Sequence, residues 1–280
     1  MYQTFINCET LHNMIAEDNE DNLVIIDCRH YLDDLEKGKQ EYSNAHIPNA
    51  FYAHLDEDLS GEIIAGKTGR HPFPEVKDIV RTFNNWGIDE SKQVVVYDQS
   101  HGGIAARLWM LLNWLGHENV AVLNGGWQQW QRLNYPVSAI IPTMKKSTFS
   151  PKLKDYLLVT ADAIEANFEQ FDFTVIDARA AERYRGEVEP IDPIAGHIPN
   201  ALSFPFLDNV DNNHLLISKE DLNKRFQSIE NQDIVVYCGS GVTACHNILV
   251  LKHIGKTDVR LYPGSWSEWI VDERRKIEKK

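Results

Sequence analysis

The sequence repeats the same four motifs in the same order, and this repeat limits the chain to a pair of related domains. The period is roughly 140 to 150 residues, which is typical of a duplicated domain and too long for a solenoid unit. The paired blocks are LVIIDCR and FTVIDAR, AHIPNA and GHIPNA, VVVYDQS and IVVYCGS, and VLNGGWQQW and LYPGSWSEW. We predict one domain at residues 1–137 and a second at 158–280, joined by a linker at 138–157 that lacks periodicity and carries two prolines.

Apolar runs rich in valine and isoleucine alternate with helical patterns along the chain. The runs at 24–27, 94–98 and 120–123 predict buried strands, and the apolar spacing at 74–85 and 104–115 predicts helices. Such alternation is typical of a parallel sheet. We therefore predict an α/β fold in which each domain is a mainly parallel sheet flanked by helices on both faces. The paired tryptophans of the fourth block are predicted to be core residues.

The balance of charge argues against two classes of partner. The chain has 28 Lys+Arg against 41 Asp+Glu and a net charge of −13, which disfavours nucleic acid and anionic membrane surfaces. The N-terminus shows no basic segment followed by an apolar run, and the most apolar stretch, 104–116, is too short to span a bilayer. Four cysteines without a CxxC pair predict no disulfide framework and no zinc site, and they favour a reducing cytoplasm. With no P-loop and no GxGxxG, we expect no metal and no organic cofactor.

The two halves differ at the end of one predicted strand. IVVY is followed by Cys238, whereas VVVY is followed by Asp98. Ligands of open parallel sheets bind beyond the carboxyl ends of the strands, so Cys238 is the candidate nucleophile. The glycines of the next segment, GSGVT, and a helix predicted to start near Val242 or Thr243 turn main-chain N–H groups inward. Such a loop stabilises a sulfur anion together with an anionic substrate.

The loop after the cysteine also supplies side-chain donors. Ser240 and Thr243 carry hydroxyl groups. The loop residues predicted to bind substrate are Gly239, Gly241, Val242 and Thr243.

The loop CGSGVTA, with HIPNA upstream and GSWSEW downstream, resembles the rhodanese superfamily, and in particular its tandem-domain sulfurtransferases. The resemblance covers nearly the whole chain. It implies a non-catalytic first domain with Asp98 in place of cysteine. It also implies that Cys238 takes a sulfane sulfur from thiosulfate or 3-mercaptopyruvate, holds it as a persulfide and passes it to cyanide or a thiol. A thioredoxin-like reductant is a further expected partner.

The resemblance also points to a cation that binds the anionic donor. In DARAAERY, Arg183 stands where the family places a substrate-binding arginine, and a guanidinium suits a carboxylate or a thiosulfonate. Arg179 follows Asp177 as Arg29 follows Asp27 in the first half. We therefore predict that both of these pairs are structural and hold the strand ends.

Two departures from the family pattern leave the donor open. Relatives that prefer mercaptopyruvate commonly have a second arginine nine positions beyond the first, where this chain has Asp192. Relatives that prefer thiosulfate usually have basic residues after the cysteine, where this chain has Gly239 and Ser240. We expect Arg70 or Arg185 to supply the missing charge.

Histidines in two kinds of segment are candidates for the chemistry. His46 and His197 both lie in HIPNA, and the repetition predicts a structural role in which the ring ties a loop. In mercaptopyruvate relatives a histidine of the first domain approaches the active serine, so the resemblance makes His46 a catalytic residue and the expected partner of Ser240. His71 accompanies Arg70 in GRHPFP, a predicted loop of the kind that carries binding residues.

Two other functions compete with sulfur transfer. A Cys-dependent phosphatase needs an arginine at the sixth position after the cysteine, and Ala244 occupies that position. A non-enzymatic sulfur carrier would pass a persulfide to another protein. The intact loop and Arg183 weigh against a carrier, although no sequence feature excludes it.

Overall fold

A computed structural model describes residues 1–17, 22–143, 146–229 and 233–280. By their internal contacts the residues form two compact units. Unit 1 comprises Met1–Ser60, Pro74–Lys154 and Asn212–Leu216, and unit 2 comprises Gly61–Phe73, Asp155–Asp211 and Ile217–Lys280. Two short segments therefore belong to the opposite unit from the one that their position in the sequence predicts. Most of the predicted linker belongs to unit 1, and residues 144 and 145 lie outside the described part.

Unit 1 is built on a five-stranded sheet. Its strands are β1 (Phe5–Ile6), β2 (Leu23–Asp27), β3 (Ala50–Tyr52), β4 (Gln93–Tyr97) and β5 (Val120–Leu123). They lie in the order β1–β5–β4–β2–β3, and every pairing is parallel. Its helices are α1 (Cys8–Ala16), α2 (Lys37–Asn44), α3 (Val76–Asn85), α4 (Ala105–Trp114) and α5 (Gly126–Arg132).

Unit 2 repeats this plan with a four-stranded sheet. Its strands are β6 (Thr174–Asp177), β7 (Leu202–Ser203), β8 (Ile234–Tyr237) and β9 (Val259–Leu261). They lie in the order β7–β6–β8–β9, again all parallel. Its helices are α6 (Ala161–Gln170), α7 (Ala181–Arg185), α8 (Lys219–Arg225), α9 (Ala244–His253) and α10 (Ser265–Trp269). The predicted α/β fold with two parallel sheets is confirmed.

Apolar side chains from the strands and the flanking helices form the core of each unit. Every residue of β4 and of β8 is buried, as expected for a central strand of a parallel sheet covered by helices. Trp130 is fully buried in unit 1, and Trp266 and Trp269 are fully buried in unit 2, which confirms that the repeated tryptophans are core residues. None of the helices in the described ranges is long and apolar enough to cross a bilayer.

Two ion pairs occupy the same place in the two sheets. Arg29 Nη2 lies 2.7 Å from Asp27 Oδ2, and Arg179 Nη2 lies 2.7 Å from Asp177 Oδ2. Each guanidinium also donates to a main-chain carbonyl and lies near a second carboxylate, Glu41 for Arg29 (3.7 Å) and Glu189 for Arg179 (3.3 Å), so its charge is paired inside the fold. The predicted structural role of both pairs is confirmed.

Candidate active site

Cys238 lies at the carboxyl edge of the second sheet, directly after β8. Its N–H donates to Ser265 Oγ at 3.1 Å, and its carbonyl accepts a hydrogen bond from the Trp266 N–H at 3.0 Å. The first residues of α10 therefore fix the backbone of Cys238. This cysteine is 2% exposed. This is the edge at which parallel sheets place their ligands.

The loop after Cys238 makes a sharp turn before α9 begins at Ala244. Gly241 has φ +76°, and a β-carbon built there would lie 2.2 Å from the carbonyl oxygen of Pro263, so glycine is required. The carbonyls of Val242 and Thr243 already accept N–H groups of the helix. The loop therefore leads directly into the positive end of a ten-residue helix.

The matching loop of unit 1 contains an anion that belongs to the chain itself. Asp98 stands in the position of Cys238, and its carboxylate accepts main-chain N–H groups from Ser100 (3.0 Å), Gly102 (2.9 Å) and Ile104 (2.9 Å). A loop of this type after a parallel strand thus does bind a carboxylate in this molecule. In unit 2 the carboxylate is replaced by a thiol.

Two guanidinium groups lie beside Gly239. A β-carbon built on this glycine would come within 3.0 Å of Arg70 Nη2 and 3.6 Å of Arg183 Nη2. Arg183 extends from α7 with its side chain 15% exposed, and Arg70 extends from the segment Gly61–Phe73 of the same unit with its side chain 31% exposed. Both arginines predicted to bind substrate therefore border the residue that follows Cys238.

Two carboxylates hold these guanidinium groups. Glu189 accepts hydrogen bonds from Arg183 Nε (3.1 Å) and Nη2 (2.6 Å). Asp192 accepts from Arg70 Nη1 through one oxygen and from Arg183 Nη2 (3.3 Å) through the other. Burial raises the pKa of Glu189, but hydrogen bonds from Arg183 and the main chain outweigh it and leave this pKa below its usual value. At Asp192 burial dominates, and the pKa is raised in spite of the two arginines.

Ser240 is hydrogen bonded to a histidine of the same unit. His71 Nδ1 lies 2.7 Å from Ser240 Oγ, and both residues are buried. A hydroxyl paired with an imidazole can relay a proton, and Ser240 follows Cys238 by two residues.

The prediction that His46 is the partner of Ser240 is wrong. His46 is fully buried in unit 1, where Nδ1 bonds to the Tyr42 carbonyl (2.8 Å) and Nε2 to the Ile140 carbonyl (3.1 Å). Neither ring nitrogen is left for a hydroxyl. The alternative reading of HIPNA, a ring that ties a loop, fits both copies, because His197 Nδ1 likewise bonds to a main-chain carbonyl at 2.7 Å.

Sequence reasoning missed the importance of several residues. The sequence gives no sign that Glu189 belongs to the site. It marks Asp192 only as a departure from the arginine pattern of mercaptopyruvate relatives, and it marks His71 only as a loop residue beside Arg70. The motif GRHPFP was the only signal for His71. Arg185, the other candidate for the missing charge, instead pairs with Glu187 at 2.7 Å with its side chain 41% exposed.

Within the described ranges, one group of side chains has the composition of a metal site. His30, His54 and Asp56 of unit 1 each offer a ligand atom within 4.8 Å of the others. His54 already uses both ring nitrogens, since Nδ1 accepts the Asp56 N–H at 3.2 Å and Nε2 bonds to the Leu35 carbonyl at 3.3 Å. We therefore assign no metal to this group.

Comparison with known proteins gives a consistent result. A sequence profile described as "Rhodanese-like domain" matches residues 7–133 and 160–272. The "Probable 3-mercaptopyruvate sulfurtransferase" of Pseudomonas aeruginosa is 40% identical over 96% of this chain and 96% of its own length. A "Putative thiosulfate sulfurtransferase" of Mycobacterium tuberculosis is 34% identical over 98% of this chain and 96% of its length. The solved structure of 3-mercaptopyruvate sulfurtransferase from Leishmania major matches with a TM-score of 0.82 and 28% identity, over 95% of this chain and 74% of that chain.

Proposed function

Since this chain belongs to the rhodanese-like family, with two copies of the domain, and is a sulfurtransferase, we propose that it takes sulfur from 3-mercaptopyruvate and holds it on Cys238 as a persulfide. The observation that carries the choice of donor is the 2.7 Å hydrogen bond between His71 and Ser240. The two arginines beside Gly239 suit the carboxylate of this donor.

The sulfur moves in two displacements. The Cys238 thiolate attacks the sulfur atom of 3-mercaptopyruvate, a sulfur–sulfur bond forms, and the carbon–sulfur bond breaks. The electron pair of that bond leaves with the three-carbon fragment as the enolate of pyruvate, which takes up one proton to become pyruvate. Cyanide then attacks the outer sulfur of the persulfide, which regenerates the thiolate and releases thiocyanate and one proton.

The proton step distinguishes the two donors. An enolate is a poor leaving group unless its oxygen is stabilised and its carbon is protonated, whereas sulfite leaves thiosulfate as a stable anion that needs no proton. With a proton on Nδ1, His71 donates to Ser240 Oγ, and the serine hydroxyl is free to donate to the developing enolate oxygen. Such an acid–base pair beside the cysteine has a use with 3-mercaptopyruvate and none with thiosulfate.

The acceptor side of the reaction follows from the chemistry of a persulfide. Any thiolate can attack the outer sulfur, so we propose a thioredoxin-like dithiol as the protein acceptor alongside small thiols and cyanide. We further propose that the enzyme acts in the cytoplasm, because a reducing compartment keeps Cys238 as a free thiol.

Replacing Cys238 tests the persulfide. We expect Cys238→Ser to abolish thiocyanate formation from every donor, and to remove the mass increase of one sulfur atom that the wild type gains on incubation with 3-mercaptopyruvate. Cys8→Ser is the control, because Cys8 lies in the core of unit 1 and its Sγ donates to the Asn124 carbonyl at 3.8 Å, a bond that a serine hydroxyl can also make. A wild type that gains the mass but does not turn over would support a sulfur carrier and contradict an enzyme.

Replacing His71 tests the donor. We expect His71→Asn to lower kcat with 3-mercaptopyruvate by about 100-fold or more, the usual contribution of general acid–base catalysis. The rate with thiosulfate should stay close to that of the wild type. Steady-state thiocyanate assays with both donors give the comparison. Equal losses with the two donors, or a wild type that uses thiosulfate alone, would contradict 3-mercaptopyruvate as the donor.

A further inference from the structure

The segment Gly61–Phe73 is held closely against the start of α10. The Arg70 N–H donates to Ser267 Oγ at 3.1 Å, and a β-carbon built on Gly69 would lie 2.6 Å from the Gly264 carbonyl oxygen. This close packing fixes the backbone at Arg70. It does not fix the guanidinium, which lies at the end of a long and flexible side chain.

Asp192 supplies the missing constraint. Its side chain is 3% exposed, and its two oxygens bind different arginines: one accepts from Arg70 Nη1 and the other from Arg183 Nη2 at 3.3 Å. One buried carboxylate thus joins a guanidinium from the segment to a guanidinium from α7. The two guanidinium groups meet beside Gly239, and any side chain at this position would occupy the space between them and the backbone.

The charges of this cluster nearly cancel. Arg70, Arg183 and Arg179, whose Nη1 lies 3.3 Å from Glu189, contribute three positive charges, and Glu189, Asp192 and Asp177 contribute three negative charges. A monoanionic carboxylate needs only the directed N–H groups of a guanidinium, and Arg70 places Nη2 beside Gly239 while its Nη1 binds Asp192. A dianion such as thiosulfate gains less here than it would beside unpaired arginines, because Asp192 repels it.

We propose that Asp192 is a positioning residue that sets donor specificity: it holds Arg70 beside Gly239 to bind the carboxylate of 3-mercaptopyruvate, and its charge disfavours thiosulfate. The inference rests on the proposed function, and it assigns to an aspartate a role in recognising an anion. Asp192 itself does not bind the donor. Its effect on 3-mercaptopyruvate runs through Arg70, and its effect on thiosulfate is direct charge repulsion.

The variant Asp192→Asn keeps the shape of the side chain and removes its charge. We expect KM for 3-mercaptopyruvate to rise roughly tenfold, as for loss of a charged hydrogen bond, with little change in kcat. The ratio of kcat/KM for thiosulfate to that for 3-mercaptopyruvate should rise by more than the same factor. Asp233→Asn is the matched control, because it breaks an Asp–Arg pair with Arg260 (2.8 Å) outside the site and should leave both donors unaffected.

The double variant tests whether Asp192 works through Arg70. We expect Arg70→Ala to raise KM for 3-mercaptopyruvate at least as much as Asp192→Asn, and Asp192→Asn added to Arg70→Ala to raise it no further. Additive effects on KM, or an unchanged donor ratio in folded Asp192→Asn, would overturn the proposal. Near-ultraviolet circular dichroism establishes that each variant is folded. A wild type that fails to use 3-mercaptopyruvate defeats the proposed function instead, and that result comes from the wild type alone.

Discussion

Two guanidinium groups reach Gly239 by different routes, Arg183 from α7 and Arg70 from a segment without regular structure. Their neighbour Arg185 is the next arginine on α7, yet it lies at the surface and pairs with Glu187. Two positions along α7 therefore separate an arginine that borders the cysteine loop from one whose exposed ion pair contributes little to stability.

The contrast between the two α7 arginines gives a prediction. We expect Arg183→Ala to lower kcat/KM for the donor by about 10- to 100-fold, the equivalent of one lost charged hydrogen-bond pair of roughly 1.5–3 kcal/mol. Arg185→Ala should leave it nearly unchanged, because its pair is exposed. The rate at which cyanide discharges a preformed persulfide should be the same in both variants. An unchanged kcat/KM in Arg183→Ala with either donor would remove Arg183 from the site.

Sequence and structure agree on some residues of the site for a physical reason. Cys238 lies directly after β8, so its place follows from local order in the chain, whereas Arg183 on α7 was expected from the family resemblance. The partner of Ser240 could not be predicted in this way. His71 is 169 positions away, on a segment whose path depends on packing against α10, and no local pattern records that path.

At the scale of elements, the turn between β8 and α9 contains Cys238 and Ser240, and the shape of this turn depends on one glycine. Gly241 combines a positive φ with a main-chain carbonyl 2.2 Å from the position of a β-carbon. Gly255, at the end of α9, also has a positive φ of +94°, but nothing lies within 4 Å of its β-carbon position. A side chain at Gly255 would therefore cause backbone strain alone, whereas one at Gly241 would cause both strain and a steric clash.

These two glycines make a matched pair of variants. We expect Gly255→Ala to cost about 1 kcal/mol in unfolding free energy and to leave kcat unchanged. Gly241→Ala should cost more, because the new methyl group displaces the Pro263 carbonyl, and it should remove most of the activity. Urea denaturation and thiocyanate assays measure the two effects. Equal stability and equal activity in the two variants would show that the turn tolerates a side chain.

Element positions were largely predictable, and their ends were not. The predicted strands at 24–27, 94–98 and 120–123 correspond to β2, β4 and β5, because continuous runs of β-branched residues have few alternatives to a buried strand. The helix predicted to start at 242 or 243 begins at Ala244. Thr243 is its N-cap but makes no side-chain capping hydrogen bond, so no capping contact marks its first residue.

At the scale of the whole molecule, two units share one plan but differ in what occupies the turn after the central strand. The carboxylate of Asp98 binds four main-chain N–H groups in unit 1, the fourth being that of Ala105 at 3.3 Å. Which unit a segment belongs to could not be predicted, since 61–73 and 212–216 pack on the core that is remote in sequence. A loop without periodicity gives no indication of the core that it will contact.

Removing the charge of Asp98 tests its role in unit 1. We expect Asp98→Asn to lower the stability of unit 1 by roughly 2–4 kcal/mol, because the amide turns donors toward N–H groups that need an acceptor. The chemistry at Cys238 should keep its kcat. Hydrogen exchange read by mass spectrometry reports the two units separately. Asp34→Asn, at an exposed position, is the control. A stability unchanged from that control would mean that the carboxylate does not hold the turn.

The carboxylate of Asp98 in unit 1 has a consequence for the number of donor molecules that one chain can bind. In unit 1 the main-chain N–H groups of the turn bind Asp98, which is part of the chain, whereas the matching position of unit 2 holds Cys238, whose sulfur must be loaded and unloaded in each turnover. A calorimetric titration with an unreactive analogue of the donor should therefore saturate at one equivalent per chain, although the chain contains two copies of the turn that binds anions.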